Sequence, residues 1–243
     1  MTLFLASVRD AEEAELALRA GADIVDLKDP EQGALGALTP DTIAACVKQV
    51  AGRAPVSATI GDRPLTGDGV RAAIRKTASL GVDYVKLGIF PGADAERGLK
   101  RLAGDTGKLR VILVLFADAM PEFDAIALAA RIGAHGVMFD TMGKRAGSLP
   151  EHMSYMGLAD RIAAAKAEGL IVGLAGSLQA HHVPSLVALQ PDLLGFRGAL
   201  CHGGDRAMPL DPGRLAGIRA LIPERPRIFH EPNVTESIPQ ALC

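Results

Sequence analysis

Three lysines stand at or just beyond the ends of apolar, β-type runs: Lys28 in Asp23-Ile24-Val25-Asp26-Leu27-Lys28, Lys86 in Asp83-Tyr84-Val85-Lys86-Leu87-Gly88, and Lys144 shortly after Val137-Met138-Phe139-Asp140. An ammonium at the end of an apolar strand costs desolvation and packs poorly, so its repetition points to amine chemistry. An unperturbed lysine, with a pKa of about 10.4, is protonated at neutral pH. A neighbouring ammonium and partial desolvation lower that value and free the amine as a nucleophile. Such an amine attacks a carbonyl to form an iminium, an electron sink for proton loss or for making and breaking a C–C bond. A second lysine or a carboxylate then moves protons. Asp26 and Asp140 lie in the same runs and supply negative charge that keeps the remaining lysines from repelling one another. The expectation is a Schiff-base enzyme for small phosphorylated carbonyl compounds.

These side chains need a scaffold that brings distant strand ends together. Apolar β-type runs alternate with Ala-rich helical stretches along the chain, the mark of parallel βα units. The strands are predicted at Leu3–Val8, Ala22–Lys28, Pro55–Ile60, Asp83–Gly88, Leu109–Phe116, Ala134–Asp140, Leu170–Ala175 and Leu193–Arg197. Helices are predicted at Asp10–Ala20, Pro40–Val50, Gly69–Leu80, Ala93–Leu102, Glu122–Ile132, Tyr155–Glu168, Leu178–Leu189 and Asp211–Leu221. Eight units in 243 residues predict a single α/β domain, a (β/α)8 or TIM barrel over residues 1–223, followed by a Pro-containing tail over 224–243. Gly21, Gly81 and Gly133 fall where a helix stops and a strand begins, as helix-terminating glycines do.

Strand parity places Asp26 and Lys28 on one face and Val25 and Leu27 on the other. With the apolar pair toward the helices, Asp26 and Lys28 point into the C-terminal mouth, where active sites of this fold are built. The same parity turns Tyr84, Lys86, Met138 and Asp140 inward. Strands two, four and six share interior layers, so Lys28, Lys86 and Asp140 are expected to converge, with Lys144 reaching in from the following loop. Loops after strands seven and eight often bind phosphate through backbone N–H groups, and here they hold Gly176, Ser177 and Gly198, with Arg197 as a charged partner. Alternatives stay open. A lysine near a strand end also serves as a solvated rim residue, Asp26 as a partner of Lys28, Asp140 as a loop cap, Arg197 as an outward salt bridge and each glycine as an ordinary turn. Tyr84 reads as packing.

Composition narrows the class. A formal charge of -2 gives no basic field for nucleic acid, and no apolar run approaches the ~20 residues needed to span a bilayer. The N-terminal stretch lacks a positive n-region and reads as the first strand, and Cys46, Cys201 and Cys243 are unpaired in spacing, so a cytoplasmic protein with reduced thiols is expected. The histidines lack metal-site spacing. No metal and no cofactor are expected, and the partners are a small-molecule substrate and further copies in a homo-oligomer.

Taken together, Asp26-Leu27-Lys28-Asp29-Pro30 with Gly33-Ala34-Leu35-Gly36-Ala37, Tyr84-Val85-Lys86-Leu87-Gly88, and Phe139-Asp140-Thr141-Met142-Gly143-Lys144 resemble the (5-formylfuran-3-yl)methyl phosphate synthase family, also called 4-(hydroxymethyl)-2-furancarboxaldehyde-phosphate synthase. The likeness runs from about residue 2 to about 221. It implies a (β/α)8 barrel that condenses two molecules of glyceraldehyde 3-phosphate to a furan aldehyde phosphate, on the way to methanofuran-type C1 carriers such as methylotrophs use. It implies Lys28 as the Schiff-base lysine, Lys86 as the proton-transferring lysine, and Asp26, Asp140 and Lys144 in support. A class I aldolase and a non-catalytic sugar-phosphate-binding barrel are the rivals.

Overall fold

The structure, a computed structural model, describes residues 1–65, 69–104, 109–143 and 146–223. Lys144 and the expected tail over 224–243 lie outside the described residues. Eight strands form a closed barrel in chain order: β1 Leu3–Val8, β2 Ile24–Leu27, β3 Val56–Thr59, β4 Tyr84–Ile89, β5 Val111–Phe116, β6 Gly136–Asp140, β7 Ile171–Leu174 and β8 Leu193–Phe196. Every neighbouring pair is parallel, including the closing pair of β1 and β8. The helices are α1 Ala11–Arg19, α2 Pro40–Val50, α3 Gly69–Ala78, α4 Ala95–Arg101, α5 Ala125–Arg131, α6 Leu149–His152, α7 Tyr155–Ala167, α8 Val183–Ala188 and α9 Pro212–Leu221.

The two faces of each strand separate as parity requires. Val25, Leu27, Val85, Leu87, Val137 and Phe139 join the large apolar core between sheet and helices. Leu5, Ile24, Ile112, Val114, Met138 and Leu193 form a second cluster inside the barrel. This filling occupies the lower and middle barrel. Toward the top, Ser7, Ala175 and Gly195 are small, which leaves the mouth open.

The junction that recurs in the sequence has a structural purpose beyond ending a helix. Gly21, Gly81 and Gly133 adopt positive φ (80°, 89° and 78°), the left-handed region that favours glycine after a helix. In two of these junctions, an aspartate two residues on caps the neighbouring strand: Asp23 accepts the Phe4 amide at 2.8 Å and Asp83 the Val56 amide at 2.9 Å. Asp192 does the same for Val172 at 2.7 Å. An otherwise unpaired amide at the barrel floor is thereby satisfied.

Several boundaries differ from expectation. β2 starts at Ile24 rather than Ala22, because Asp23 is used as that cap, and ends at Leu27, with the Lys28 amide still bonded to the Val8 carbonyl at 3.0 Å. The helix predicted from Leu178 starts only at Val183, after a 3₁₀ turn over Ala180–His182. The short α6 was not predicted. Its signal was Ser148-Leu149-Pro150-Glu151, a capping box in which both the Ser148 amide and hydroxyl donate to Glu151.

Candidate active site

Asp26 is the centre of the buried polar group. Ser7, Asp26 and Ser57 stand in direct register on β1, β2 and β3. Strands lie about 4.8 Å apart, so a short hydroxyl on either side reaches one oxygen of the carboxylate. Ser7 Oγ donates to Asp26 Oδ2 at 2.8 Å and Ser57 Oγ to Oδ1 at 2.6 Å. Lys86, on β4 opposite Thr59, extends its ammonium to 2.7 Å from Asp26 Oδ1 and reaches Met138 Sδ at 4.0 Å. Asp26 has no solvent exposure. Burial alone would raise its carboxyl; the Lys86 charge, hydrogen bonds from Lys86 and Ser57, and the Lys28 charge together hold it below the usual carboxylate value.

Lys28 forms the second pair. Its Nζ lies 3.8 Å from Asp140 Oδ2, while Asp140 Oδ1 accepts the Thr141 amide at 2.7 Å. Both side chains are nearly buried, at 8% and 5% exposed. The expected convergence of Lys28, Lys86 and Asp140 is therefore present, and of the pairings the sequence left open the close ones are Asp26 with Lys86 and Asp140 with Lys28. Tyr84 packs at the lower end of the barrel between His135 and the Arg110 guanidinium, in agreement with a packing role. Cys46 is buried, with its thiol pushed up to about 12 by burial first and then by Asp10 and Glu13, which makes it a poor nucleophile.

Above the two pairs opens a cavity of about 620 Å³ whose walls include Lys28, Lys86, Asp140, Gly176, Ser177 and Gly198. Its far side is the loop pair after β7 and β8. Gly176 has φ +97° and lies so close to β6 that an added Cβ would stand 2.9 Å from the Thr141 amide nitrogen. Ser177 follows in the left-handed region at φ 48°, and Gly198 opens a 3₁₀ turn over Gly198–Leu200.

Arg197 borders the same cavity, but its guanidinium is committed to the fold. Nε donates to the Arg206 carbonyl at 2.9 Å, Nη1 to the Ser7 carbonyl at 3.2 Å and to Glu13, and Nη2 to Glu13 at 3.3 Å and the Met208 carbonyl at 3.1 Å. That accounts for all five N–H donors of an arginine. The buried Glu13 that it pairs with belongs to α1, so this is the structural salt bridge of the two sequence alternatives, turned inward rather than outward.

Two aspartates that the sequence reading passed over shape the rim. Asp62 accepts the amides of Ala34 and Leu35 at 2.8 and 2.7 Å, ordering the loop after β2. Asp118 accepts those of Met142 and Gly143, both at 2.7 Å, immediately before Lys144. Burial would raise the Asp118 carboxyl, and these two amides hold it low. The only sequence signal was an aspartate a few residues beyond a strand end.

Two buried lysines, each held against a carboxylate at the C-terminal mouth, belong to the enzymes built on a (β/α)8 barrel. Sequence comparison narrows that class: the family described as 4-HFC-P synthase matches residues 4–219, and this chain belongs to it. A relative from Methylorubrum extorquens is 47% identical over 212 residues, covering 87% of this chain and 88% of its own. The (5-formylfuran-3-yl)methyl phosphate synthase of Methanocaldococcus jannaschii is 32% identical over 216 residues, covering 84% and 92%, and that of Methanothermobacter thermautotrophicus is 34% identical over 215 residues, covering 84% and 91%. Among solved structures, phosphoribosyl anthranilate isomerase from Thermus thermophilus (TM-score 0.62, 16% identity, 91% of this chain and 98% of that one) and 3-hexulose-6-phosphate synthase from Salmonella typhimurium (TM-score 0.59, 16% identity, 90% and 98%) share the fold. Among the described residues, no helix is long and apolar enough to cross a membrane.

Proposed function

We propose that this enzyme condenses two molecules of glyceraldehyde 3-phosphate into (5-formylfuran-3-yl)methyl phosphate through a Schiff base on Lys28, in the making of a methanofuran- or methylofuran-type C1 carrier. The observation that carries the reading is a pair of lysines lining one cavity, each backed by a carboxylate. Lys28 stands just past the end of β2 with its Nζ 3.8 Å from Asp140, and Lys86 lies deeper, 2.7 Å from Asp26. The aldehyde of one triose phosphate forms an iminium on Lys28, releasing water. Loss of its C2 proton to Asp140 gives an enamine, which expels the C3 phosphate with the bonding electrons. The three-carbon unit left on Lys28 attacks through C3 the ketone carbon of the second triose phosphate, isomerised to dihydroxyacetone phosphate, and the Lys86 ammonium protonates the alkoxide that forms. Ring closure, dehydration and hydrolysis of the iminium free the furan and Lys28, so the atoms balance with net release of one phosphate and two waters.

Lys144 follows the loop that Asp118 orders and supports proton transfer in this scheme. Gly176, Ser177 and Gly198 offer backbone N–H groups to one phosphate, with Arg197 holding the loop in place through Glu13. A cytoplasmic homo-oligomer goes with the reading, and the buried thiols of Cys46 and Cys201 suit a reducing compartment.

The test is incubation with glyceraldehyde 3-phosphate and borohydride, followed by peptide mass spectrometry, with phosphate release and ultraviolet absorbance monitored in parallel. The expected result is a reduced adduct on Lys28, phosphate release and a furan chromophore, all lost in Lys28→Ala. An adduct without phosphate release identifies a class I aldolase, and no adduct identifies a sugar-phosphate-binding barrel.

A further inference from the structure

Joining two triose phosphates requires a seat for each phosphate, and the Gly176 and Gly198 loops account for one. The loop after β8 carries another guanidinium, Arg206, in a different state from Arg197. It is half-buried and borders both the main cavity and an adjoining groove of about 680 Å³; the two spaces share Pro30, Glu31 and Arg206. Its Nη2 reaches across the mouth to the Gly33 carbonyl of the loop after β2, at 3.3 Å. No carboxylate among the described residues stands within ion-pair distance of it, and most of its five N–H donors have no protein acceptor there. Asp140, Asp62 and Asp29 act on it only at longer range, and burial together with the Arg197 charge outweighs them. A half-buried, undercompensated guanidinium at the junction of two cavities is costly unless an anion completes it.

We propose that Arg206 anchors the phosphate of the second triose phosphate, at the junction of cavity and groove. The proposal rests on the two-triose reading above. A guanidinium fork matches phosphate oxygens bidentately, and Arg63 lines the same groove as a second cation. The two phosphates are then held by different devices: one by backbone amides after β7 and β8, the other by a side chain that spans from the β8 loop to the β2 loop. That asymmetry lets one barrel accept two copies of the same substrate in two roles.

Calorimetric titration of the full chain with inorganic phosphate tests this in wild type, Arg206→Gln and Arg206→Lys. Wild type is expected to show two binding events. Arg206→Gln weakens one of them by about 10- to 100-fold and spares the other, and Arg206→Lys falls between, because it keeps the charge and loses the fork. Equal titrations in wild type and Arg206→Gln overturn the assignment, as does a wild type that binds no phosphate. Borohydride trapping on the same samples separates the two claims. A wild type without a Lys28 adduct defeats the Schiff-base reading, while the phosphate titration still decides whether Arg206 is the anion anchor. The expected combination in Arg206→Gln is a retained Lys28 adduct, a raised KM for glyceraldehyde 3-phosphate and one missing phosphate event.

Discussion

Replacing Asp26 with asparagine removes one negative charge from the barrel interior and keeps the shape of the side chain. The Lys86 ammonium, 4% exposed, would then lie 2.7 Å from a neutral amide. At that separation the gross attraction between the two charges is about 6 kcal/mol at an effective dielectric of ~20. Water would solvate both ions in the unfolded chain, so breaking such a pair from one side costs about 3–5 kcal/mol net. Asparagine still accepts from a serine, which puts the expected loss near ~3 kcal/mol. With a urea slope of about 3 kcal/mol per M, the unfolding midpoint should fall by about 1 M. Lys86→Met in the same chain removes the orphaned ammonium, so the double variant should be more stable than Asp26→Asn alone. The pH dependence follows from the depressed carboxyl of Asp26. Its contribution is complete above the unfolded value of about 4 and is lost as pH falls through the lower folded value. The acid limb of the stability curve should therefore be shallower in Asp26→Asn than in wild type. An unchanged midpoint, an equal acid slope, or a double variant that loses the sum of both singles would refute the role given to this pair.

Lys86→Ala should lower turnover by about 10²- to 10⁴-fold while the Lys28 adduct still forms; a matching loss of substrate binding in calorimetry would make Lys86 a binding group instead. Asp118→Ala releases the Met142 and Gly143 amides, and turnover should drop more than adduct yield because the loop before Lys144 loosens. Unaltered turnover would detach that loop from the chemistry. Gly176→Ala forces a Cβ into the left-handed region against the Thr141 amide. It should cost about 1–3 kcal/mol in thermal unfolding and weaken inorganic phosphate binding, and full phosphate affinity would clear this loop of the assignment.

The chain itself determined the barrel. Eight alternating units, helix-ending glycines and apolar parity leave few other ways to bury the two faces of each strand. Parity also placed Asp26, Lys28, Lys86 and Asp140 inside, because a period of two is local and needs no knowledge of neighbours. What parity does not contain is register and reach. Only the closed barrel sets Ser7, Asp26 and Ser57 in line and brings the Lys86 ammonium to Asp26, leaving Lys28 to Asp140. The two arginines after β8 show the same limit. Arg197 and Arg206 are nine positions apart and equally charged in sequence. Tertiary contacts with Glu13 and three backbone carbonyls engage every donor of the first, whereas among the described residues most donors of the second, at the cavity mouth, meet no protein acceptor. Which charge is spent on the fold depends on partners almost two hundred residues away in the chain, and only folding brings them together.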